Sequence, residues 1–322
     1  VILANYNHAD YISKCLNSLI HQKFIPFEII IIDDCSTDNS KNIINEFEKK
    51  YSFIRAYFNS ENKGTVVSQN FGINSAHGNF IYLAASDDYV LEDFFYEMNK
   101  VYILNKNIHL ITGNANLHNL SNNEKIGERP IVMPRIRSGF ISNIKYMNLL
   151  RNSDHFILTG SSLIKLSTIK SLGLLNPKFE SFADGYLTRV ISLKFGFFYL
   201  NTPVSIWNID DQSFSRNNQI DINKSLYLLG KISTKMLYNK VFPKWYIKVF
   251  QKRWLFFTIY KNKGVDSLIL RYISDNNLDD RIISLFLKYI KWNYFKKIII
   301  LFRFFPHSIL SILITKLYRV LR

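Results

Sequence analysis

The chain has 322 residues, of which 48% are hydrophobic and 15% aromatic, and it carries a formal net charge of +16. That length is enough to bury a large hydrophobic core, so we expect one main domain with an appendage. Cys15 and Cys35 are its two cysteines, which excludes a zinc site built on cysteine pairs and favours a reduced, cytoplasmic setting.

The elements predicted from the first third of the chain alternate between strand and helix. Apolar runs without polar alternation, which parallel sheets favour, predict four strands, at residues 1–4, 28–32, 53–58 and 80–85. Helical spacing of apolar residues predicts three helices between them, at residues 9–22, 39–51 and 66–76. Short loops join these elements. The pattern predicts an α/β domain with a mainly parallel central sheet flanked by helices.

Pairs of carboxylates follow two of these strands. Asp33 and Asp34 follow the second strand, and Asp87 and Asp88 follow the fourth. Ligands of open α/β sheets bind at the carboxyl ends of the strands, so the two pairs could receive a nucleoside between them. One carboxylate would accept hydrogen bonds from a base or ribose, and another would hold a divalent cation against a diphosphate. A dinucleotide site or a P-loop is not expected, because neither glycine motif is present.

The pair Asp87-Asp88 has two interpretations. Neighbouring carboxylates repel each other unless a positive group compensates them, which favours a metal ion. Alternatively, Ser86 or one of the two acids caps a helix that begins at Tyr89. Asp33 is interpreted as a residue that caps or turns the chain locally.

Several segments, in order and at their spacing, resemble glycosyltransferase family 2. They are residues 1–7 (VILANYN), 28–38 (EIIIIDDCSTD), 62–64 (NKG), 69–73 (QNFGI), 76–78 (AHG) and 86–88 (SDD). The resemblance extends over roughly residues 1–215. It implies the GT-A fold, a nucleotide-sugar donor and inversion at the anomeric carbon.

The resemblance also implies roles for the matching residues. Asp34 would bind the nucleobase, with Tyr6 and the backbone of Ala4 forming the wall beside it. Asp87 would face the ribose, and Asp88 would ligate Mn²⁺ or Mg²⁺ on the diphosphate. In the family motif, an acid stands where this chain has a serine before the two aspartates.

The acceptor half of the resemblance contains Asp184, in the segment 182–187 (FADGYL). By resemblance Asp184 is the general base that takes the proton of the acceptor hydroxyl. The alternative is that it caps a helix over residues 186–194.

Two edge strands are predicted next, at residues 197–201 and 204–207. The polar loop 210–216 follows them. It either folds over the donor diphosphate, with Arg216 neutralising charge, or is an exposed linker.

The excess positive charge is confined to the end of the chain. Residues 1–222 hold 21 basic and 21 acidic side chains, whereas residues 223–322 hold 20 basic and 4 acidic ones. We therefore predict a catalytic domain over 1–222 and a basic, aromatic-rich helical region over 223–322. The apolar run 298–314 is interrupted by charge and proline, so helices lying on an anionic membrane surface are predicted rather than a spanning helix. The alternative is a helical cap packed on the catalytic domain.

Three functions follow from these observations. The first is an inverting glycosyltransferase at the inner face of the plasma membrane. It would move a sugar from a nucleotide-diphosphate donor, with UDP favoured, to a glycan or lipid-linked acceptor in bacterial surface polysaccharide synthesis, as for O-antigen or capsule. The second is a nucleic-acid-binding protein, suggested by charge alone and lacking a recognised module. The third is a non-catalytic GT-A-like binding subunit. We predict the first function, with no nucleic-acid partner.

Overall fold

The computed structural model describes residues 1–120, 122–130, 132–154, 156–209 and 222–261. These residues belong to two compact units. The first unit comprises Val1–Tyr146 and His155–Asp210, and the second comprises Met147–Asp154 and Asp211–Arg322. The boundary predicted from charge, between residues 222 and 223, stays a prediction.

The first unit begins with alternating strands and helices. In chain order they are β1 (Ile2–Asn5), α1 (Ala9–Ile20), β2 (Ile29–Asp33), α2 (Ser40–Lys50), β3 (Ile54–Phe58), α3 (Thr65–Ser75), β4 (Phe80–Ile81) and β5 (Leu83–Ala85). Strands β3, β2, β1 and β5 form an entirely parallel sheet in that order. The predicted α/β class and parallel sheet are confirmed.

The elements that follow build a second, mixed sheet. They are β6 (Tyr89–Val90), α4 (Phe94–Leu104), β7 (Leu110–Asn119), β8 (Lys125–Arg129), β9 (Gly139–Ile141), α5 (Asn143–Leu149), β10 (Ser162–Lys165), α6 (Leu166–Ser171), α7 (Ala183–Phe195) and β11 (Phe197–Ile209). The strand order is β4-β10-β7-β11-β6, with β8 paired to β7 and β9 paired to β11. Among the described pairs of this sheet, β7 and β11 alone run parallel.

Both faces of the parallel sheet are buried. Leu3 and Ile31 belong to a core that includes residues of α1 and α4. On the other face, α3 approaches so closely that a methyl group added at Gly72 would lie 2.6 Å from Ile2 Cγ2 and 2.8 Å from Ile32 Cδ1. Because neither face of the central strands meets water, β1 and β2 consist of continuous apolar runs, whereas the edge strand β3 is partly exposed.

Two strand predictions are wrong. The run 80–85 divides at Tyr82, so that β4 joins the mixed sheet and β5 joins the parallel one. The two predicted edge strands are one continuous strand, β11, which lies inside its sheet between β7 and β6. Periodicity along a strand reports burial and not the identity of its neighbours, so the sequence pattern predicted neither feature.

Glu28, directly before β2, is a buried carboxylate with several donors. It accepts hydrogen bonds from the amides of His77 at 2.6 Å and Gly78 at 3.1 Å, and from Arg55 Nη2 at 2.5 Å. Burial by itself raises the pKa of Glu28, but the His77 amide and the Arg55 guanidinium outweigh burial and leave that pKa below its ordinary value. The family segment 76–78 thus stabilises the edge of the sheet opposite to the predicted site.

We expect Glu28→Gln to lower the free energy of unfolding by about 1–3 kcal/mol, because Arg55 loses its charged partner. The pKa of Glu28 in the folded state lies below its unfolded value of about 4.3. The stabilisation is therefore complete at neutral pH. It begins to be lost as the pH falls below about 4.3 and is gone below the folded-state pKa. Thermal denaturation of parent and variant should therefore differ at neutral pH and converge in acid.

The control for this experiment is Glu97→Gln. Glu97 forms a solvent-exposed i,i+3 pair with Lys100 at 2.8 Å, and such pairs contribute little. Identical melting temperatures of parent and Glu28→Gln at neutral pH would contradict the assigned role of Glu28.

The second unit contains α8 (Ile222–Tyr238) and α9 (Lys244–Lys261) together with the segment Met147–Asp154. Asp154 is buried and its Oδ2 lies 3.3 Å from Tyr246 Oη and 3.7 Å from Arg253 Nη1. Arg253 also donates to two backbone carbonyls of the same segment. None of the described helices combines the length and the apolar content that crossing a bilayer requires. The predicted membrane-binding stretch beyond residue 261 lies outside the described residues.

Candidate active site

The carboxyl ends of β2 and β5 flank the end of β1. Ala4 is paired with Ala85 on one side, and Asn5 is paired with Asp33 on the other. Neighbouring strands are about 4.8 Å apart, so the chain leaves β2 and β5 at points about 10 Å from each other. As predicted, both pairs of acids follow strands that end at the same edge of the sheet.

Asp33 holds the loop that follows β2. Its Oδ2 accepts from Asn5 Nδ2 at 2.9 Å and from Ser36 Oγ at 2.6 Å, and its Oδ1 accepts from the Ser36 amide at 2.9 Å. Ser36 Oγ in turn accepts from the amide of Asn7 at 2.9 Å. This is the local role predicted for Asp33. The network also holds the loop that carries Tyr6, whose side chain is 43% exposed.

Asp34 is buried and accepts four hydrogen bonds. Its Oδ1 accepts from Asn59 Nδ2 at 2.7 Å, the Lys63 amide at 3.0 Å and Ser68 Oγ at 3.1 Å, and its Oδ2 accepts from the Gly64 amide at 2.7 Å. These bonds hold the turn before α3, in which Gly64 has a φ of 87°. Oδ1 accepts three of these bonds and Oδ2 accepts one, so Oδ2 is the less engaged of the two oxygens. Neither Asn59 nor Ser68 was predicted, since no motif connects them to Asp34.

The helix-cap interpretation of Asp87 and Asp88 is wrong, because Tyr89 begins strand β6 and the next helix begins at Phe94. Asn208 of β11 holds the pair instead. Its backbone amide donates to Asp88 Oδ1 at 2.7 Å, and its Nδ2 donates to the Asp87 carbonyl at 2.5 Å. Asn208 was not predicted, since 120 residues separate it from Asp88.

The two carboxylates have no positive partner within the described part of the chain. Burial first, and then the charge of Asp87, raise the pKa of Asp88 well above its ordinary value, although the Asn208 amide opposes this shift. Burial, Asp88 and Asp87 likewise raise the pKa of the Cys15 thiol, which donates to the Ala85 carbonyl. Ionisation of both carboxylates would thus leave negative charge that no described side chain compensates.

Paired carboxylate oxygens are the ligands that Mn²⁺ and Mg²⁺ prefer, so Asp87 and Asp88 fit a divalent ion. No set of three or more His, Cys, Asp or Glu side chains in the described residues is arranged to hold a metal. These two residues would thus supply only part of a coordination shell. Ser86, where the family motif has an acid, is buried and lies 2.8 Å from His8 Nδ1.

A short 3-10 turn, Thr159–Ser161, contacts both β5 and α7. Tyr82 Oη donates to the Gly160 carbonyl at 3.3 Å, and a methyl group at Gly160 would lie 4.0 Å from Asp88 Oδ2. The turn therefore lies between the loop that carries Asp88 and the helix that carries Asp184.

Asp184 lies in the first turn of α7, and Phe182 occupies the N-cap position. The N-cap interpretation of Asp184 is therefore wrong. Asp184 is partly buried, and its Oδ1 accepts from the Gly185 amide at 2.6 Å. Its Oδ2 accepts no hydrogen bond from the described residues. Arg216, the other predicted residue of this half, lies outside the described residues.

A parallel sheet with carboxylates at its carboxyl edge, continued by a mixed sheet and a helix with a further carboxylate, is the GT-A arrangement. The chain belongs to glycosyltransferase family 2. The model of that family, described as "Glycosyl transferase family 2", matches residues 1–172. The predicted family and its class of enzyme, a transferase, are confirmed. Asp184 lies beyond the matched residues.

Known proteins similar to this chain include an uncharacterized glycosyltransferase of Haemophilus influenzae, 27% identical over 67% of this chain and 81% of that protein. The Staphylococcus aureus poly(ribitol-phosphate) beta-N-acetylglucosaminyltransferase TarS is 34% identical over 28% of this chain, but the match spans only 16% of TarS.

Solved structures that share the fold include two with bound nucleotide sugars. The crystal structure of TarS residues 1–349 with UDP-GlcNAc has a TM-score of 0.66 and 14% identity, and the similarity covers 87% of this chain and 81% of that one. Mannosyltransferase PcManGT from Pyrobaculum calidifontis, in complex with GDP-Man and Mn²⁺, has a TM-score of 0.55 and 12% identity, over 97% and 86% of the two chains.

Proposed function

We propose that this family 2 glycosyltransferase moves a sugar, with inversion, from a UDP-sugar to a glycan or lipid-linked acceptor of a bacterial surface polymer. The observation that carries the proposal is the uncompensated pair Asp87-Asp88, held by Asn208 at the carboxyl edge of the parallel sheet. The UDP-GlcNAc complex of TarS supports the UDP-sugar, and the poly(ribitol-phosphate) acceptor of TarS supports a polymer acceptor.

The donor would lie across the ends of β1, β2 and β5. Asp34 Oδ2 would accept a hydrogen bond from the nucleobase, beside Tyr6 and the backbone of Ala4. Asp87 would face the ribose, and Asp88 would ligate a divalent ion, for which the Mn²⁺ complex of the mannosyltransferase is the precedent. When bound, such an ion stabilises negative charge on the diphosphate leaving group.

Asp184 would act as the general base. The acceptor oxygen attacks the anomeric carbon, the bond from that carbon to the diphosphate oxygen breaks, and the hydroxyl proton passes to Asp184 Oδ2. Two features support this role, namely the absence of a described donor to Oδ2 and the turn Thr159–Ser161 between α7 and the Asp88 loop. Arg216 would neutralise charge on the departing diphosphate.

A panel of UDP- and GDP-sugars tests the proposal. We expect a UDP-sugar to raise the melting temperature in the presence of MnCl₂, and we expect the protein to release UDP from it. Thermal stabilisation without UDP release, even with acceptor glycans added, would favour the non-catalytic binding subunit. Failure of every nucleotide sugar to stabilise the protein would contradict donor binding itself.

We also propose that residues 223–322 bind the cytoplasmic, anionic face of the plasma membrane. The support is their positive charge, because these residues hold 20 basic and only 4 acidic side chains. The full chain should float with phosphatidylglycerol vesicles and not with phosphatidylcholine vesicles, and high salt should release it. Retention on RNA without vesicle flotation would favour the nucleic-acid alternative.

A further inference from the structure

A small cavity of about 100 Å³ adjoins the Asp87-Asp88 pair on the side of α1. Its lining includes the buried residues Cys15 and Asn208 and the exposed residue Lys14. This volume is large enough to hold several small polar groups or water molecules.

The Lys14 ammonium contacts neutral groups. Lys14 Nζ lies 4.0 Å from the centroid of the Tyr89 ring and 3.3 Å from Asn123 Oδ1, and Tyr89 Oη donates to the same oxygen at 3.1 Å. Asp10 precedes Lys14 by one helical turn and also lines the cavity. Nevertheless, no described carboxylate forms an ion pair with Lys14.

The same cavity is thus lined by an ammonium without an ion-pair partner and by a pair of carboxylates without a positive partner, among the described residues. A ligand that complements both must present a cation to the carboxylates and anionic oxygens to the ammonium. A divalent ion on a diphosphate has these properties, and lysine is a common point-charge ligand of phosphate.

We propose that Lys14 binds the diphosphate of the donor across this cavity from Asp88. The inference rests on the proposed function and adds to it a diphosphate ligand contributed by α1. Lys14 belongs to none of the segments that resemble the family, and its helical spacing predicts only a solvated residue.

The test compares Lys14→Gln with the parent, using the full chain, MnCl₂ and calorimetric titration. A charge-assisted hydrogen bond contributes about 1.5–3 kcal/mol, so we expect the affinity for UDP to fall about tenfold or more. The affinity for pyrophosphate should fall by a similar factor, and the affinity for uridine should stay unchanged. Lys14→Arg should retain most of the UDP affinity.

The matched control is Lys106→Gln. Lys106 Nζ lies 4.5 Å from the Tyr102 ring centroid, a similar lysine–tyrosine contact outside this cavity, so its loss should leave all three affinities unchanged. Equal losses of UDP and uridine affinity in Lys14→Gln would assign Lys14 to the packing of Tyr89 and overturn the inference.

Two further outcomes separate the inference from the proposed function. Unchanged UDP and pyrophosphate affinities in Lys14→Gln, with Asp88→Asn losing Mn²⁺-dependent UDP binding, would overturn the role of Lys14 and leave the proposed function standing. If the parent bound pyrophosphate in a Lys14-dependent manner but no UDP, the assignment of UDP would be wrong and the diphosphate site would stand.

Discussion

Asp88→Asn will remove metal-dependent sugar transfer and leave the metal-free protein at least as stable as the parent. The amide is a weaker ligand for a hard divalent ion than the carboxylate, so charge on the leaving diphosphate loses its stabilisation. Removing one preorganised electrostatic contact of this kind costs about 10²–10³-fold in kcat. The measurement is the initial rate of transfer with and without MnCl₂.

Stability should respond in the opposite direction to activity. Burial and the charge of Asp87 raise the pKa of Asp88, which means that the ionised Asp88 carboxylate destabilises the folded state. An amide at this position removes that repulsion and still accepts the hydrogen bond from the Asn208 amide. Glu97→Gln is the control for loss of an acid at a partly exposed position of the same unit.

Two results would contradict this prediction. Transfer by Asp88→Asn at the parental rate with MnCl₂ would remove Asp88 from the metal site. A large drop in the melting temperature of the metal-free variant would show that the carboxylate is needed for folding, and the loss of activity would then say nothing about a metal.

Asp184→Asn will abolish transfer and leave donor binding intact. General-base catalysis contributes about 10²–10⁴-fold, and an amide cannot take the proton of the acceptor hydroxyl. The substitution is isosteric, and the amide oxygen keeps the acceptor position for the Gly185 amide that Oδ1 occupies now. The measurements are the transfer rate and, separately, the affinity for UDP with MnCl₂.

The two active-site variants should therefore differ in binding. Asp88→Asn should lose Mn²⁺-dependent affinity for UDP, whereas Asp184→Asn should bind UDP as the parent does. A parental transfer rate in Asp184→Asn would move the base to another residue. Loss of UDP affinity in Asp184→Asn would assign Asp184 to the donor site instead of the acceptor site.

Much of the parallel sheet, and the edge at which the candidate site lies, could be predicted. Leu3, Ile31 and their neighbours form continuous apolar runs because helices cover both faces of the sheet, and this burial leaves a direct pattern in the sequence. Acids directly after such strands must lie at the carboxyl edge, so Asp34 and Asp88 were predicted there. The local turn at Asp33 was also predicted, because its partner Ser36 is three residues away.

The partners of these carboxylates required the tertiary structure. Asn208 reaches Asp88 across 120 residues, and Ser68 reaches Asp34 across 34. The division of residues 80–85 between two sheets and the interior position of β11 depend in the same way on which strands pair. Local composition and periodicity determine which segments form strands and helices, because burial repeats along each element. Which distant side chains meet is decided by the free energy of packing the whole chain, and that quantity leaves no local pattern in the sequence.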